Sequence, residues 1–194
     1  MYRKKETEFQ YAPGIDLILE DVQGGGTVAR AAVKAVIDEL PPLVVVCKDS
    51  NGLYQIVKTA KVVAVAGATD VAYHVEKGHL LVVGEVITNG GLLAKAAKTI
   101  ASIDKTNADY DIITLNATIA AAAIGDVLVL ANAEAAAGAA AFKYVPEAIT
   151  MNKIDTTVAN QQSGLLVRGT VRESVMPYPV DAAIKAKLNH IRFV

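Results

Sequence analysis

The chain has 194 residues, which is the usual size of one domain and is enough to bury a hydrophobic core. Nineteen basic and twenty acidic residues leave a formal net charge of -1, so the chain lacks the overall positive charge that draws proteins to nucleic acid or to anionic membranes. Hydrophobic residues make up 53% of the sequence, and many of them are alanine, a composition that suits an oligomer.

The first residues and the single cysteine indicate where the protein is made. The chain begins with polar and charged residues where a secretory signal would be hydrophobic, and no uncharged apolar stretch is long enough to cross a bilayer. We therefore expect synthesis in the cytoplasm. Cys47 is the single cysteine of the sequence, so an intrachain disulfide is excluded. It lies in the apolar run 43–47, which predicts a buried, reduced strand residue.

Residues 1–26 are predicted to form an N-terminal arm, because they mix charges with the flexible triplet Gly24-Gly25-Gly26. From Thr27, a suitable N-cap, apolar residues recur at helical spacing until Pro41-Pro42. The two prolines cannot continue a helix. This pattern predicts an α-helix over about residues 28–39.

After the prolines the sequence changes to short β-branched runs separated by turn residues. The runs 43–47 and 53–57 flank an Asn51-Gly52 pair, which readily takes positive φ and predicts a β-hairpin. Further strands are predicted at 61–65, 71–75, 80–83, 86–88, 99–103, 110–115, 127–130, 142–145 and 165–173.

The remaining segments are alanine-rich or C-terminal. The tracts 117–123 and 131–141 favour helix by propensity but are too short and too interrupted by glycine, so we interpret them as loops with at most a helical turn. Asp181 is predicted to cap a short helix carrying Ile184 and Leu188. The chain then ends in an extended apolar segment, residues 191–194.

Many short strands without alternating long helices predict a mainly β (α+β) fold. We expect a short-stranded β-barrel or sandwich-like domain with an N-terminal arm and helix and a short C-terminal helix. The chain divides into the arm and helix, residues 1–40, and a β-rich domain, residues 41–194. A Rossmann-type parallel sheet is not expected.

Two segments of the chain resemble each other. Residues 81–87 and 122–128 each contain an apolar approach, a glycine, an acidic residue and a strand. Gly84 and Gly125 can turn the chain at positive φ, and the carboxylates of Glu85 and Asp126 can accept local backbone N–H bonds. The spacing of the two segments indicates an internal duplication.

Motifs that would carry chemistry are incomplete. Gly24-Gly25-Gly26 lacks the spacing of a phosphate-binding loop, and His74, His79 and His190 lack metal-ligand spacing. His79 with Glu76 or Glu85 could form an acid–base pair, and Ser163 or Ser174 could be a nucleophile, but no nucleophile motif surrounds either serine. We therefore predict no enzyme, and no catalytic, cofactor-binding or metal-binding residue.

An alternative function arises from residues 75–87, which combine a Lys77-Gly78 turn with a Val83-Gly84-Glu85 turn. Lipoyl and biotinyl carrier domains use similar turns and present a lysine at a hairpin tip, so Lys77 and Lys105 are the candidate carrier lysines. The motif around these lysines is only partial. A barrel-type carrier or small-ligand-binding module is therefore the second hypothesis.

A family resemblance rests on several segments taken in order: Val71 to His79, Val83 to Ile87, Ile103-Asp104, Asp109 to Leu115, Gly125 to Leu128, and Arg168 to Val180. In this order they resemble the head fiber proteins, which are capsid-attached proteins of tailed phages and gut prophages. The resemblance covers residues 43–194. Residues 1–40 lie outside it, and we expect them to contact the capsid or a neighbour.

The resemblance implies a virion structural protein that decorates the phage head and binds both the capsid and itself. The implied partners are further copies of the chain, with a trimer favoured, the phage major capsid protein, and a glycan on the host surface. No cofactor, nucleic acid or membrane is implied. The expected location is the virion, after synthesis in the bacterial cytoplasm.

Overall fold

The computed structural model of the protein describes residues 14–90, 95–157 and 159–194, and β-strands dominate these ranges. Within them lie one α-helix, α1 (Ala182–Lys187), and two 3-10 turns, at Arg30–Ala32 and Glu173–Val175. The mainly β class predicted from the sequence is confirmed. The described strands are β1 (Ile15–Asp21), β2 (Gly26–Val28), β3 (Glu39–Leu40), β4 (Val45–Lys48), β5 (Tyr54–Ile56), β6 (Thr59–Lys61), β7 (Ala72–Glu76), β8 (Val86–Asn89), β9 (Ala97–Asp104), β10 (Tyr110–Leu115), β11 (Val127–Leu130), β12 (Ala148–Thr150), β13 (Ile154–Asp155), β14 (Gln161–Ser163), β15 (Leu165–Val171) and β16 (Ile191–Phe193).

The largest sheet has eight strands and is built from both ends of the described chain. Its order is β1-β15-β12-β4-β5-β2-β14, and β16 also pairs with β15 in parallel. Strand β1 is at one edge and pairs with β15 through a register that shifts three times. Gly169 makes this pairing possible, because a Cβ at that position would clash with the Leu17 carbonyl oxygen.

The second sheet has six strands and is formed by the intervening residues, 59–115 and 127–130. Its order is β6-β11-β8-β9-β10-β7. The sheet curls, because an isolated bridge between Val62 and Val75 joins its two edges and Val63 N donates to the His74 carbonyl at 2.9 Å. The barrel-like character predicted from the sequence is therefore present in this curled sheet, while the eight-stranded sheet contributes the sandwich-like part.

Strand β11 connects the hydrophobic cores of the two sheets. Leu128 and Leu130 pack inside the curled sheet, whereas Val127 and Val129 pack against the eight-stranded sheet. Side chains of a strand alternate between its faces, so a strand buried on both faces reads as a continuous apolar run. This accounts for the sequence Val-Leu-Val-Leu, which was predicted as a strand with these same bounds.

The α-helix predicted over residues 28–39 is wrong. Val28 belongs to β2, a 3-10 turn follows, and Leu40 belongs to β3, which pairs with β13. Val28 and Leu40, at the two ends of the predicted apolar face, are nevertheless buried in one core beside the eight-stranded sheet, and Val36 of the same face packs against it. The apolar spacing thus reflects burial that an irregular path satisfies, with strand pairing overriding weak helical propensity.

The N-terminal region also differs from the predicted arm. Residues 15–28 pair within the eight-stranded sheet, and Gly24 and Gly25 form the turn between β1 and β2 with φ of 76° and 71°. This positive φ explains the glycine triplet as a tight turn, not a flexible link. Residues 1–13 of the predicted arm lie outside the described residues.

Other predictions can be compared directly with the strands. The hairpin around Asn51-Gly52 is confirmed, with Gly52 at φ 83°, and so are the strand 110–115 and the loop character of both alanine-rich tracts. The strand predicted at 80–83 is wrong, because this segment is a coil that buries Leu80 and Leu81. The run 142–145 forms only a bridge at its first residue, and the strand predicted at 61–65 lies earlier, in β6.

The C-terminal predictions are confirmed. Asp181 Oδ1 accepts a hydrogen bond from Ile184 N at 2.7 Å, which caps α1 as expected. Ile184 and Leu188 are buried against the eight-stranded sheet. The last residues extend along β15 as the parallel strand β16, so the end of the chain completes a sheet.

Candidate functional site

The edge strand β1 exposes two large apolar side chains. Leu17 is 48% exposed and Leu19 is 61% exposed, whereas Ile15 and Ile18 of the same strand pack against the core. Leu17 and Leu19 therefore lie together on the outer face of the strand. An exposed apolar edge strand is uncommon in proteins that remain monomeric, because it offers a surface on which another chain can pack.

The residues around Leu17 and Leu19 carry charges of both signs. In the sheet register Leu17 is opposite Thr170, which in turn pairs with Arg192, and Glu20 is opposite Arg168. Directly paired residues present their side chains on the same face. We call Leu17, Leu19, Glu20, Arg168 and Arg192 the β1 surface.

A buried ion pair joins the residue before β6 to the residue before β8. Lys58 Nζ is 2.5 Å from Glu85 Oε1, and the two side chains are only 2% and 14% exposed. The second oxygen of the same carboxylate, Glu85 Oε2, accepts a hydrogen bond from Val82 N at 2.9 Å. Removing two charges from water costs several kcal/mol, so a pair this dry is unusual in a small β protein.

A second polar group centres on Asp111, whose side chain is 5% exposed. Lys77 Nζ is 2.8 Å from Asp111 Oδ1, and His79 Nε2 is 3.3 Å from Asp111 Oδ2. The His79 contact does not have hydrogen-bond geometry, and neither ring nitrogen has a hydrogen-bond partner within the described residues. Burial lowers the pKa of His79 and outweighs the opposing effect of Asp111, so the imidazole is neutral at neutral pH.

The residues next to this group line a cavity of about 420 Å³. Its lining includes Lys61, Glu76 and His79, together with Ser174 and residues 176–180. The volume falls within the range of small-molecule sites. The charged residues of the lining carry both signs.

The residues considered as catalytic candidates are not assembled into a site. Ser163 is buried in β14, where its Oγ donates to the Gly164 carbonyl at 3.0 Å. Ser174 lies on the cavity wall with His79 and Glu76, but no hydrogen bond joins it to either residue in the described part of the chain. His74 stacks on Tyr110 with ring centroids 4.7 Å apart. His190 is exposed beside β16.

The two candidate carrier lysines have different environments. Lys77 is engaged with Asp111, as described above, and its amine is therefore not presented at the tip of a turn. Lys105 is exposed in the loop that joins β9 to β10, after Asp104, whose carboxylate accepts from Thr106 N at 2.9 Å. The structure thus separates the two: only Lys105 stands at a hairpin tip.

The repeated glycine–acid segments adopt the predicted local structure. Gly84 and Gly125 have φ of 87° and 92°, and Glu85 and Asp126 each accept the backbone N–H three residues earlier. The strands that follow, β8 and β11, pair with each other antiparallel. The local similarity seen in the sequence is therefore a repeated turn-and-strand unit.

Comparisons with known proteins give no family for the chain: no family model matches it, and no characterised protein or solved structure is significantly similar to it. Among residues 14–90, 95–157 and 159–194, no cluster of three or more ligating side chains could hold a metal ion. The helix in the described ranges is also too short to span a membrane.

Sequence reasoning missed Lys58, Asp111 and the edge position of Leu17. Lys58 is 27 residues from Glu85 and belongs to no motif, so its pairing depends on the folded sheet. A faint signal was present, since Lys58 is a lone charge between apolar Ile56-Val57 and Ala60. Cys47, in contrast, is buried as predicted, and burial raises the pKa of its thiol.

Proposed function

We propose that the protein is a virion structural protein, a head fiber or decoration protein that binds a phage capsid and further copies of itself. The observation that carries this proposal is the β1 surface. A strand that exposes two leucines at the edge of a sheet is typical of a protein–protein interface, because burying exposed apolar surface against a partner is favourable in free energy. The resemblance to head fiber proteins supplies the setting.

The occupant of the β1 surface is a second copy of the chain. Glu20 is acidic, whereas Arg168 and Arg192 are basic, so two such surfaces can meet with opposite charges facing each other. The shifts in the β1 register interrupt a regular ladder, so the contact uses side chains and not continuous strand pairing. The resemblance favours a trimer as the assembled state.

Light scattering at several protein concentrations tests the self-association. The full chain is expected to form a stable oligomer, and the double variant Leu17→Ser/Leu19→Ser is expected to dissociate to monomers, because it removes the apolar contact. Ile124→Ser is the matched control, since Ile124 is 66% exposed on a turn far from β1 in the sequence. A full chain that is monomeric at every concentration, or a control that dissociates equally, contradicts the role of the β1 surface.

The capsid partner is tested separately by co-sedimentation with capsids assembled from the major capsid protein of the same phage. The full chain is expected to pellet with these capsids, with an affinity raised by many repeated contacts on the lattice. A chain that stays in the supernatant at all capsid concentrations removes the decoration role. In this proposal the protein has no catalytic step and takes no cofactor.

A second candidate function is the barrel-type carrier, which Lys105 favours through its exposed position at the β9–β10 hairpin tip. The intact mass of the protein purified from its native cells distinguishes this function. A lipoyl or biotinyl increment located on Lys105 supports the carrier. An unmodified Lys105 leaves the cavity near His79 as the remaining basis for a small-ligand module.

A further inference from the structure

The buried pair of Lys58 and Glu85 holds an amine and a carboxylate in direct contact inside the protein. The amine nitrogen and the nearest carboxylate oxygen are 2.5 Å apart, which is shorter than the usual ion-pair distance of about 2.7–2.9 Å. Their side chains are 2% and 14% exposed, so little water competes for either group. We propose that Lys58 and Glu85 condense in the folded protein to form an intramolecular isopeptide bond.

The condensation starts from a neutral amine and a neutral acid. The contact reaches that state by transfer of one proton from Lys58 Nζ to Glu85 Oε1. A neutral amine has the lone pair that a nucleophile requires.

The condensation balances without an oxidant or a co-reactant. Lys58 Nζ attacks the Glu85 carboxyl carbon, the C–N bond forms, and negative charge develops on Oε2. A proton then passes from the nitrogen to Oε1, the C–O bond breaks, and Oε1 leaves as water. The product is a secondary amide whose carbonyl oxygen is Oε2.

The turn before β8 supplies the one donor that this path requires. Val82 N donates to Glu85 Oε2 at 2.9 Å, so the oxygen that gains negative charge is already hydrogen-bonded, as in an oxyanion hole. The fold also holds the two groups together permanently. Well-oriented groups within one molecule react as if present at about 10⁵–10⁸ M.

The neighbouring Lys77–Asp111 contact provides an internal comparison. Its amine and carboxylate oxygen are 2.8 Å apart, but the Lys77 side chain is 37% exposed, so this contact is open to water. Lys77 and Asp111 are therefore expected to remain an ion pair. The proposal assigns the cross-link to the buried contact alone.

Mass spectrometry of the full chain, purified and denatured, tests the proposal. The expected intact mass is lower than that of the sequence by one water molecule. Trypsin should leave residue 58 uncut and yield a branched peptide that joins residues 49–61 to residues 78–95, because the modified lysine is no longer a cleavage site. Lys58→Met should restore the full mass, and Lys77→Met should retain the deficit.

Each result decides the question. A full chain with the unmodified sequence mass overturns the proposal, and so does a water deficit that maps to peptides other than these two. Because the intact mass and the digest are measured on denatured wild-type protein, they do not depend on whether Lys58→Met folds. The cross-link is also independent of assembly, so a monomeric protein with the deficit would contradict the β1 surface and support the cross-link.

Discussion

The two glycine–acid turns have the same backbone but different side-chain chemistry. In residues 82–85 the carboxylate of Glu85 accepts from Val82 N at 2.9 Å, and in residues 123–126 that of Asp126 accepts from Ala123 N at 3.0 Å. Glu85 also contacts the buried Nζ of Lys58, whereas Asp126 accepts from the side-chain amide of Asn89 at 3.0 Å. The turn geometry therefore does not determine which side chain contacts the carboxylate. The residues packed around each turn determine it.

The difference follows from side-chain length and from position in the curled sheet. Glutamate has one methylene more than aspartate, so Glu85 can hold its own turn and still reach Lys58, which precedes β6. Asp126 is shorter and is matched by Asn89 at the end of the paired strand β8. The carboxylate of one repeated unit therefore contacts a lysine nitrogen, and that of the other accepts from a side-chain amide.

Removing the partner of each carboxylate should have the largest effect, and an unequal one. Lys58→Met leaves the buried Glu85 carboxyl group without its lysine partner and is expected to destabilise the fold by about 3–5 kcal/mol. Asn89→Leu removes a neutral donor from Asp126 and is expected to cost about 1–3 kcal/mol. Urea unfolding of both variants measures the difference, and equal losses would mean that the two turns are energetically alike.

Replacing the two glycines should cost less and should cost the same in both turns. A Cβ at Gly84 or at Gly125 meets nothing within 4 Å, so only the positive φ opposes a side chain. Gly84→Ala and Gly125→Ala are each expected to destabilise by about 1–2 kcal/mol. Thermal unfolding provides the comparison, and a clear inequality between the two would show that the turns differ in backbone strain as well.

A pH dependence should distinguish the first turn from the second, because His79 interacts electrostatically with Glu85 and Lys58 as well as with Asp111 and Lys105. Burial lowers the pKa of His79 below its ordinary value of 6.5, so the unfolded chain binds the proton more readily. Stability should therefore be complete above pH 6.5 and fall as the pH falls towards the folded-state pKa.

The pH measurement has a matched control. His79→Leu should flatten the decline in unfolding free energy below pH 6.5, while the exposed His190→Gln should leave the decline unchanged. A decline that is identical in wild type and His79→Leu would assign the pH dependence to other groups.

The smallest effects are expected at the tips of the turns. Val83 is 58% exposed and Ile124 is 66% exposed, so Val83→Ser and Ile124→Ser should each change stability by less than about 0.5 kcal/mol. Urea midpoints measure this. A larger loss for either variant would indicate that its tip is buried in an assembly, which would move the interface away from β1.

Sequence patterns predicted those parts of the fold that local chemistry determines. The bounds of β10 and β11 were predicted because each lies between clear turn signals, and Asp181 identified α1 through its cap. The helix predicted over 28–39 is wrong because the spacing of Val28, Val36 and Leu40 reflects burial, which a turn and two short strands satisfy equally well. The phage setting and the carrier function stay predictions.

The candidate site depended on contacts that no local pattern contains. The two glycine–acid turns were recognisable, since glycine, acid and strand are adjacent in the chain. Lys58 and Glu85 are 27 residues apart, and Leu17 acquires its edge position from pairing with Thr170. These relations arise only when the sheet assembles.

In the sequence, the strands of the curled sheet lie between the two groups of strands that form the eight-stranded sheet. This order has a consequence for biosynthesis. As the chain leaves the ribosome, residues 59–130 can pair among themselves well before β15 has been translated. Strand β1 is synthesised first but can pair with β15 only after residues 166–171 have been synthesised. It therefore stays without this partner through most of translation. During that interval Leu17 and Leu19 belong to an unpaired segment, and polysomes bring many nascent copies of it close together.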